Sequence, residues 1–282
     1  MSARDPERSE LPGSAQILRW EPPRWDGFLG NTRLKHVLRS VAMNSRSSTE
    51  MGRLHSFNGA GFLVTGESRS GKTSLINHFL RAMVCHERDP VTLDPCSGHA
   101  CPACEWQPEL AGAAGMLCVT KDGRKSVHLT VIPGTEIGSP RELLSQLREA
   151  SWWDGFRLLF LDEAHRLKSR GMDELLLKAV EELKMCWILA TARPDALEDM
   201  LRKRLIIVRT EPPSLEELAL WLADRCDEWE IPWTPAAVER AAEKSNRIVG
   251  IALQPLSLAA LDRKEGLTED LVENFWSLDP GD

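Results

Sequence analysis

Tyrosine is absent from this 282-residue chain, although tryptophan occurs ten times, and no function follows from that imbalance. Other shortages say more. No apolar run approaches the roughly 18 residues that a membrane-crossing helix needs. There is no basic excess: 35 Lys and Arg against 42 Asp and Glu leave a net charge of −7. The protein as a whole is therefore no electrostatic glove for DNA, and any nucleic-acid contact must be local or shared with other subunits. Seven cysteines, an odd number, argue against a disulfide framework. Residues 1–16 are charged and contain prolines without an apolar core, which excludes a signal peptide and suggests a disordered tail on a cytoplasmic protein. Internal repeats and low-complexity tracts are also missing. With 42% apolar and 27% charged residues, what is left is ordinary globular material for one large domain or two modest ones.

The chain is organised around 61–83. An apolar run, Gly61-Phe62-Leu63-Val64-Thr65, leads into Gly66-Glu67-Ser68-Arg69-Ser70-Gly71-Lys72-Thr73 and then Ser74. This is G-x-x-x-x-G-K-T, the phosphate-binding loop. Its glycines let backbone N–H groups converge on a phosphate, and the following helix N-terminus favours the same anion. Lys72 is expected to reach the β- and γ-phosphates of ATP, and the Thr73 hydroxyl to hold Mg2+. Leu75, Ile76, Phe79, Leu80 and Met83 recur on one helical face, as a helix packed on a sheet requires.

Directly after that helix come Cys85, Cys96, Cys101 and Cys104. Four thiolates, the last two as C-x-x-C, suit a closed tetrahedral Zn2+ site of structural type. His86 and His99 lie near enough in sequence to replace one ligand. Cys118, Cys186 and Cys226 sit among apolar residues and read as core.

Farther on, Leu158-Leu159-Phe160-Leu161 runs into Asp162-Glu163-Ala164-His165. A continuous apolar run fits a parallel strand buried on both faces, and its C-terminal end is where ligands of open α/β sheets bind. Asp162 is expected to support Mg2+, and Glu163 to orient or deprotonate the attacking water. Apolar runs at 61–65, 128–132, 157–161, 186–190 and 205–208 alternate with helical patterns, which predicts a five-stranded parallel α/β sheet. A hairpin with an Asp122-Gly123 turn is expected over 116–132, its second arm able to double as a sheet strand. Ser139-Pro140-Arg141-Glu142 reads as a helix start. Trp20 and Trp25 read as core anchors. Strands stop at Pro212-Pro213, and helices are expected over 214–228, 234–244, 246–260, kinked at Pro255, and 268–277. The predicted organisation is an α/β nucleotide-binding domain over 17–210, with a zinc module at about 85–104, and a small all-helical lid over 214–278.

With these stretches in place, the chain resembles AAA+ ATPases of the clamp-loader family, in particular the gamma/tau and delta-prime subunits of bacterial DNA polymerase III. The likeness rests on Arg19-Trp20-x-Pro22…Trp25…Leu29-Gly30, the phosphate loop, the cysteine module after its helix and Leu161-Asp162-Glu163-Ala164-His165. It continues through Leu176-Leu177-Lys178-x-x-Glu181-Glu182 and Leu189-Ala190-Thr191-x-x-Pro194. The resemblance implies a trans-acting arginine finger at Arg204 and a cis sensor arginine at Arg247. It also departs from the family. Glu21 stands where a basic residue is usual, and Ala192 falls at the polar sensor position, leaving Thr191 as its stand-in. Neither Ser nor Cys flanks Arg204. The likeness covers about 17–278 and stops where the family's helical collar would begin.

What the resemblance implies is an ATP-hydrolysing subunit, slow or partner-dependent, that assembles with copies of itself or other AAA+ subunits and acts on DNA, a sliding clamp being one candidate partner. The same fold also serves switches that oligomerise on DNA or on a partner, in transposition or phage defence, and nucleotide-binding subunits that hydrolyse weakly. Candidate phosphate contacts are Arg166, Lys168 and Arg170, and Lys121, Arg124 and Lys125.

Overall fold

A computed structural model describes residues 11–18, 20–43, 59–96, 101, 116–119, 125–133, 139–141, 145, 156–183 and 185–277. The chain divides into two compact units, one running from Pro22 to Glu211 and the other joining the residues before Pro22 to those from Pro212 onward.

The larger unit holds a six-stranded sheet. Its strands are β1 (Gly61–Thr65), β2 (Met116–Val119), β3 (Lys125–Pro133), β4 (Phe156–Asp162), β5 (Cys186–Thr191) and β6 (Ile206–Arg209), in the order β2-β3-β4-β5-β1-β6. The five from β3 to β6 pair in parallel, as the apolar runs predict. The arm from Met116 adds a sixth strand, antiparallel to β3 at the edge. Its expected Asp122-Gly123 turn lies outside the described residues, as does most of the helix expected from Ser139.

Period-two alternation splits the central strands between two cores. Phe62 and Val64 of β1, Leu158 and Phe160 of β4, and Ile188 and Ala190 of β5 face a cluster with Trp25, Leu34, Leu38, Leu75 and Phe79. These partners come from the entry segment and from the helices 32–43 and 72–84. The intervening Leu63, Leu159, Leu161, Trp187 and Leu189 face Leu167, Leu176 and Leu201 on the other side, from a 3-10 turn at Ala164–Arg170 and the helices 173–182 and 199–204. Both faces are covered, so these strands read as unbroken apolar runs. Each fully buried large side chain here contributes about 1.5–3 kcal/mol. Among the described residues the helices are, in chain order, α1 (Ser14–Leu18), α2 (Thr32–Met43), α3 (Lys72–Val84), α4 (Asp173–Glu182), α5 (Asp199–Arg204), α6 (Leu215–Glu228), α7 (Pro235–Lys244), α8 (Val249–Ala259) and α9 (Glu269–Ser277).

The smaller unit consists of α1 and α6 to α9. At the start of α6 the Glu217 N–H donates to Ser214 Oγ at 3.1 Å, while the Ser214 N–H donates to the Glu217 carboxylate at 2.7 Å, a complete capping box. Thr234 caps α7 with Pro235 in its first turn. Pro255 lies inside α8. Residues 17–21, expected with the α/β domain, group here instead. The reason is aromatic: the Trp20 ring lies 5.7 Å from both Trp221 and Trp229, with the Arg225 guanidinium 5.1 Å above it. Trp25 behaves differently and is buried in the core of the α/β unit.

Candidate functional site

The strand order sets the site. β5 lies between β1 and β4, so the phosphate loop, Thr191 and Asp162-Glu163 leave the sheet side by side at its C-terminal edge. Gly66 to Gly71 turn from β1 into α3. A Cβ on Gly66 would fall 1.7 Å from Thr210 Oγ1, so only glycine lets the loop start this close to the neighbouring chain. Gly71 takes a left-handed φ of 83° at the N-cap of α3, a conformation that glycine adopts without strain. Arg69 is left-handed as well, whereas Glu67 and Ser68 are exposed along the loop.

Lys72 is buried, and its ammonium donates to the Gly66 carbonyl at 2.9 Å and to the Glu67 carbonyl, with Ser70 Oγ at 3.4 Å. Burial lowers its pKa from the usual lysine value, opposed by the negative charges of Glu163, Asp162 and Glu67. At the next residue, the Thr73 hydroxyl donates to Asp162 Oδ2 at 3.0 Å. The Glu163 N–H donates to the other Asp162 oxygen at 2.9 Å. Burial nevertheless raises the Asp162 carboxyl, against those two hydrogen bonds. Two oxygens 3.0 Å apart match the spacing of adjacent ligands in an octahedron at Mg–O distances of about 2.0–2.1 Å. Thr73 and Asp162 therefore fit a magnesium ion, and the loop with Lys72 fits a polyphosphate beside it.

Thr191, at the end of β5, is fully buried. Its Oγ1 accepts the Arg193 N–H at 3.0 Å and lies 3.1 Å from His165 Nδ1. That same nitrogen is 3.3 Å from Glu163 Oε2. Arg204 ends α5, half exposed, with Nη2 2.6 Å from Glu181 Oε1. Arg247 follows α7 in the helical unit, exposed and left-handed at φ 64°.

Three of the four expected zinc ligands come together. The sulfurs of Cys85, Cys96 and Cys101 all lie within 4.8 Å of one another, and those of Cys85 and Cys101 are 3.8 Å apart. A tetrahedron with Zn–S of about 2.3 Å has edges of about 3.8 Å. The Cys96 N–H also donates to Cys85 Sγ at 3.2 Å, as thiolate ligands require of their surroundings. The cluster could hold zinc; Cys104 and His99 lie outside the described residues. The lead-in to this cluster is tied to the core. Asp94 Oδ1 accepts the Trp25 N–H at 2.8 Å and lies 3.3 Å from His78 Nε2. Burial pushes His78 down to about 4 despite the Asp94 partner, and the Trp25 ring stands edge-on to it. Cys186 and Cys226 are core thiols that burial raises to about 12.

No family model matches the chain. Among curated proteins it is 26% identical to the DNA polymerase III subunit tau of Escherichia coli over 243 residues, 83% of this chain and 33% of that one. It is 24% identical to the tau/gamma subunit of Haemophilus influenzae over 273 residues, 94% and 35% of the two chains. The gamma subunit of Buchnera aphidicola is 22% identical over 90% of this chain and 62% of its own. Over most of its length the chain is similar to the tau and gamma subunits of DNA polymerase III. It spans about a third of the length of the tau subunits it matches. Among solved structures, the Holliday junction branch migration motor RuvB of Thermotoga maritima shares the fold of this chain. The match has a TM-score of 0.56 at 18% identity, covering 93% of this chain and 73% of RuvB.

Two contributors were missed in the sequence. Asn31 is buried and left-handed; its amide donates to the carbonyls of Ser70 and Leu29, each at 3.3 Å, and its Oδ1 accepts the Glu211 N–H at 3.1 Å. It binds the entry segment to the phosphate loop and to the end of the unit, and Gly30-Asn31 was its only local signal. The other is His165, visible only as the last letter of the acidic stretch. Of the candidate phosphate contacts, Arg166 is exposed, while the side chains of Lys168 and Arg170 and of the hairpin residues lie outside the described set. No helix among the described residues is long and apolar enough to cross a membrane.

Proposed function

We propose that this chain is an ATP-hydrolysing subunit of an oligomeric AAA+ assembly that acts on DNA in the manner of a clamp loader. The observation that carries the reading is the meeting of Thr73 and Asp162 at 3.0 Å beside a phosphate loop whose lysine is already inside it. Lys72 donates to the Gly66 and Glu67 carbonyls of the loop, from where its ammonium would reach the β- and γ-phosphates of ATP. Thr73 and Asp162 hold the magnesium ion, which supplies charge neutralisation on the phosphates. Glu163, more exposed than its neighbours, orients the attacking water and draws its proton. Thr191 takes the sensor position that Ala192 leaves vacant. Arg247 reads the γ-phosphate in cis. Arg204, freed from Glu181, reaches the nucleotide of an adjoining subunit.

Glu163→Gln is expected to keep ATP affinity within a few-fold while turnover falls by about 10²–10⁴. Unchanged turnover would sink the hydrolytic reading. Arg204→Ala is expected to bind ATP normally and to lose about 10³-fold in the turnover of the assembly, with mixing experiments showing that wild-type neighbours rescue it. Binding to primed DNA with ATP is expected to weaken steeply with salt. A flat salt response would remove DNA from the proposal and leave a partner protein as the trigger.

A further inference from the structure

We propose that His165 is a positioning residue: its Nδ1–H, kept on that nitrogen by the neighbouring Glu163 carboxylate, is donated to Thr191 and forces the threonine hydroxyl to act as a donor. The inference rests on the reading of Glu163 as the group that orients water.

The argument is one of hydrogen-bond accounting. A neutral imidazole carries one N–H and one lone pair. Here a single nitrogen, Nδ1, faces two oxygens, Thr191 Oγ1 at 3.1 Å and Glu163 Oε2 at 3.3 Å. A lone pair on Nδ1 would point at a carboxylate oxygen and be repelled, whereas a proton there is attracted to both oxygens. The geometry therefore favours the Nδ1–H tautomer, hydrogen-bonded to Thr191 with the Glu163 carboxylate as an electrostatic neighbour at 3.3 Å. The consequence falls on Thr191. Its hydroxyl has two acceptor sites, of which the Arg193 N–H fills one and His165 the other. Its own proton is left over, and a buried donor without a partner costs about 1–3 kcal/mol. That proton is the one available to a phosphoryl oxygen arriving between β1 and β4. Residue 191 thus becomes a sensor by virtue of residue 165.

Glu163 is held from two sides. Its backbone sits at φ 50°, a left-handed conformation that costs a non-glycine residue about 1 kcal/mol or more. The Arg166 N–H donates to its carbonyl at 2.9 Å, fixing the turn. Its side chain is 39% exposed against 13% for His165, so the carboxylate can swing away while the ring stays seated on Thr191.

The chemistry separates two conservative variants. Asn at 165 places an amide N–H2 near the Nδ1 position, whereas Gln places it near Nε2. Turnover of the ATP-loaded assembly is expected to fall roughly 10–100-fold in His165→Ala and His165→Gln. In His165→Asn it should stay within about three-fold, with the affinity for a non-hydrolysable ATP analogue unchanged in all three. Equal losses in Asn and Gln, or none in Ala while Glu163→Gln is inactive, would overturn the role of His165 and leave the water-orienting role of Glu163 standing. If Glu163→Gln turns over like wild type, that reading fails, and nitrogen-15 NMR of the ring still tests the hydrogen bond. An Nδ1–H signal that shifts in Thr191→Val supports the inference, and an Nε2–H ring overturns it.

Discussion

The two units bury different things. Between Pro22 and Glu211, the described residues include seven buried polar or charged side chains: Asn31, Thr65, Lys72, His78, Arg88, Thr130 and Thr191. Among the described residues of the helical unit only Ser245 and Ser257 are so buried, although residues 212–282 carry fifteen acidic and six basic residues. Helices can leave charge on the outside and use polar groups for caps. The sheet unit takes such groups inside and sets partners beside them: Lys72 on loop carbonyls, Arg88 on the carbonyls of Ala42 and Ala82, Thr191 on Arg193 and His165. A buried polar group without a partner is costly, so such a set persists where it positions chemistry or a difficult connection.

Four experiments sharpen that contrast. The largest effect is expected from metal removal. If zinc occupies the cysteine cluster at a thousand-fold excess over its dissociation constant, chelation lowers stability by about 4 kcal/mol. The loss should be confined to the α/β unit, with hydrogen exchange in α6 and α7 unchanged. Metal analysis showing no zinc in freshly purified protein would break this side of the comparison.

His78 comes next. Its folded pKa of about 4 lies below the ordinary 6.5, so between these values the unfolded chain binds more protons and stability falls as pH drops from 6.5 toward 4. The loss amounts to about 3 kcal/mol. His78→Gln should flatten the acid limb of a denaturation series over that window; an unchanged limb would show that burial of His78 is not its origin.

Lys72→Met is expected to weaken ATP binding by about 1.5–3 kcal/mol, the worth of a charged hydrogen-bond partner. The ligand-free protein should change by less than about 1 kcal/mol, because the lost ammonium was itself costly to bury. Calorimetry and thermal melts read the two quantities separately. The smallest effect belongs to the helical unit: Ser214→Ala removes one half of the capping box and should cost about 1 kcal/mol, seen as a small drop in melting temperature with ATP affinity untouched.

Much of this was legible because it is local. The glycine spacing of the phosphate loop, the apolar run into Asp162-Glu163 and the Ser214 cap are each written within a few residues. Period-two burial on both faces made the parallel strands visible as unbroken apolar runs. The edge strand β2 was foreseen only as a hairpin arm, since pairing partners are not encoded in one arm. Trp20 and Trp25 sit five residues apart in similar Pro-rich surroundings, yet they go to different units, and nothing local distinguishes them. Asn31 acts through Ser70 and Glu211, contacts that no window of sequence contains.

The sequence by itself determined which residues form the loop, strands and caps, because backbone conformation and hydrophobic period are short-range properties of the chain. Only the tertiary structure decided which of those residues meet. Placing β5 between β1 and β4 brought Thr191 to His165 and Thr73 to Asp162, and the fold of the segment after α3 gathered three sulfurs separated along the chain to within 4.8 Å of one another. Hydrogen bonds and metal ligation act over about 3–4 Å, a distance that sequence separation does not measure and that packing alone can close.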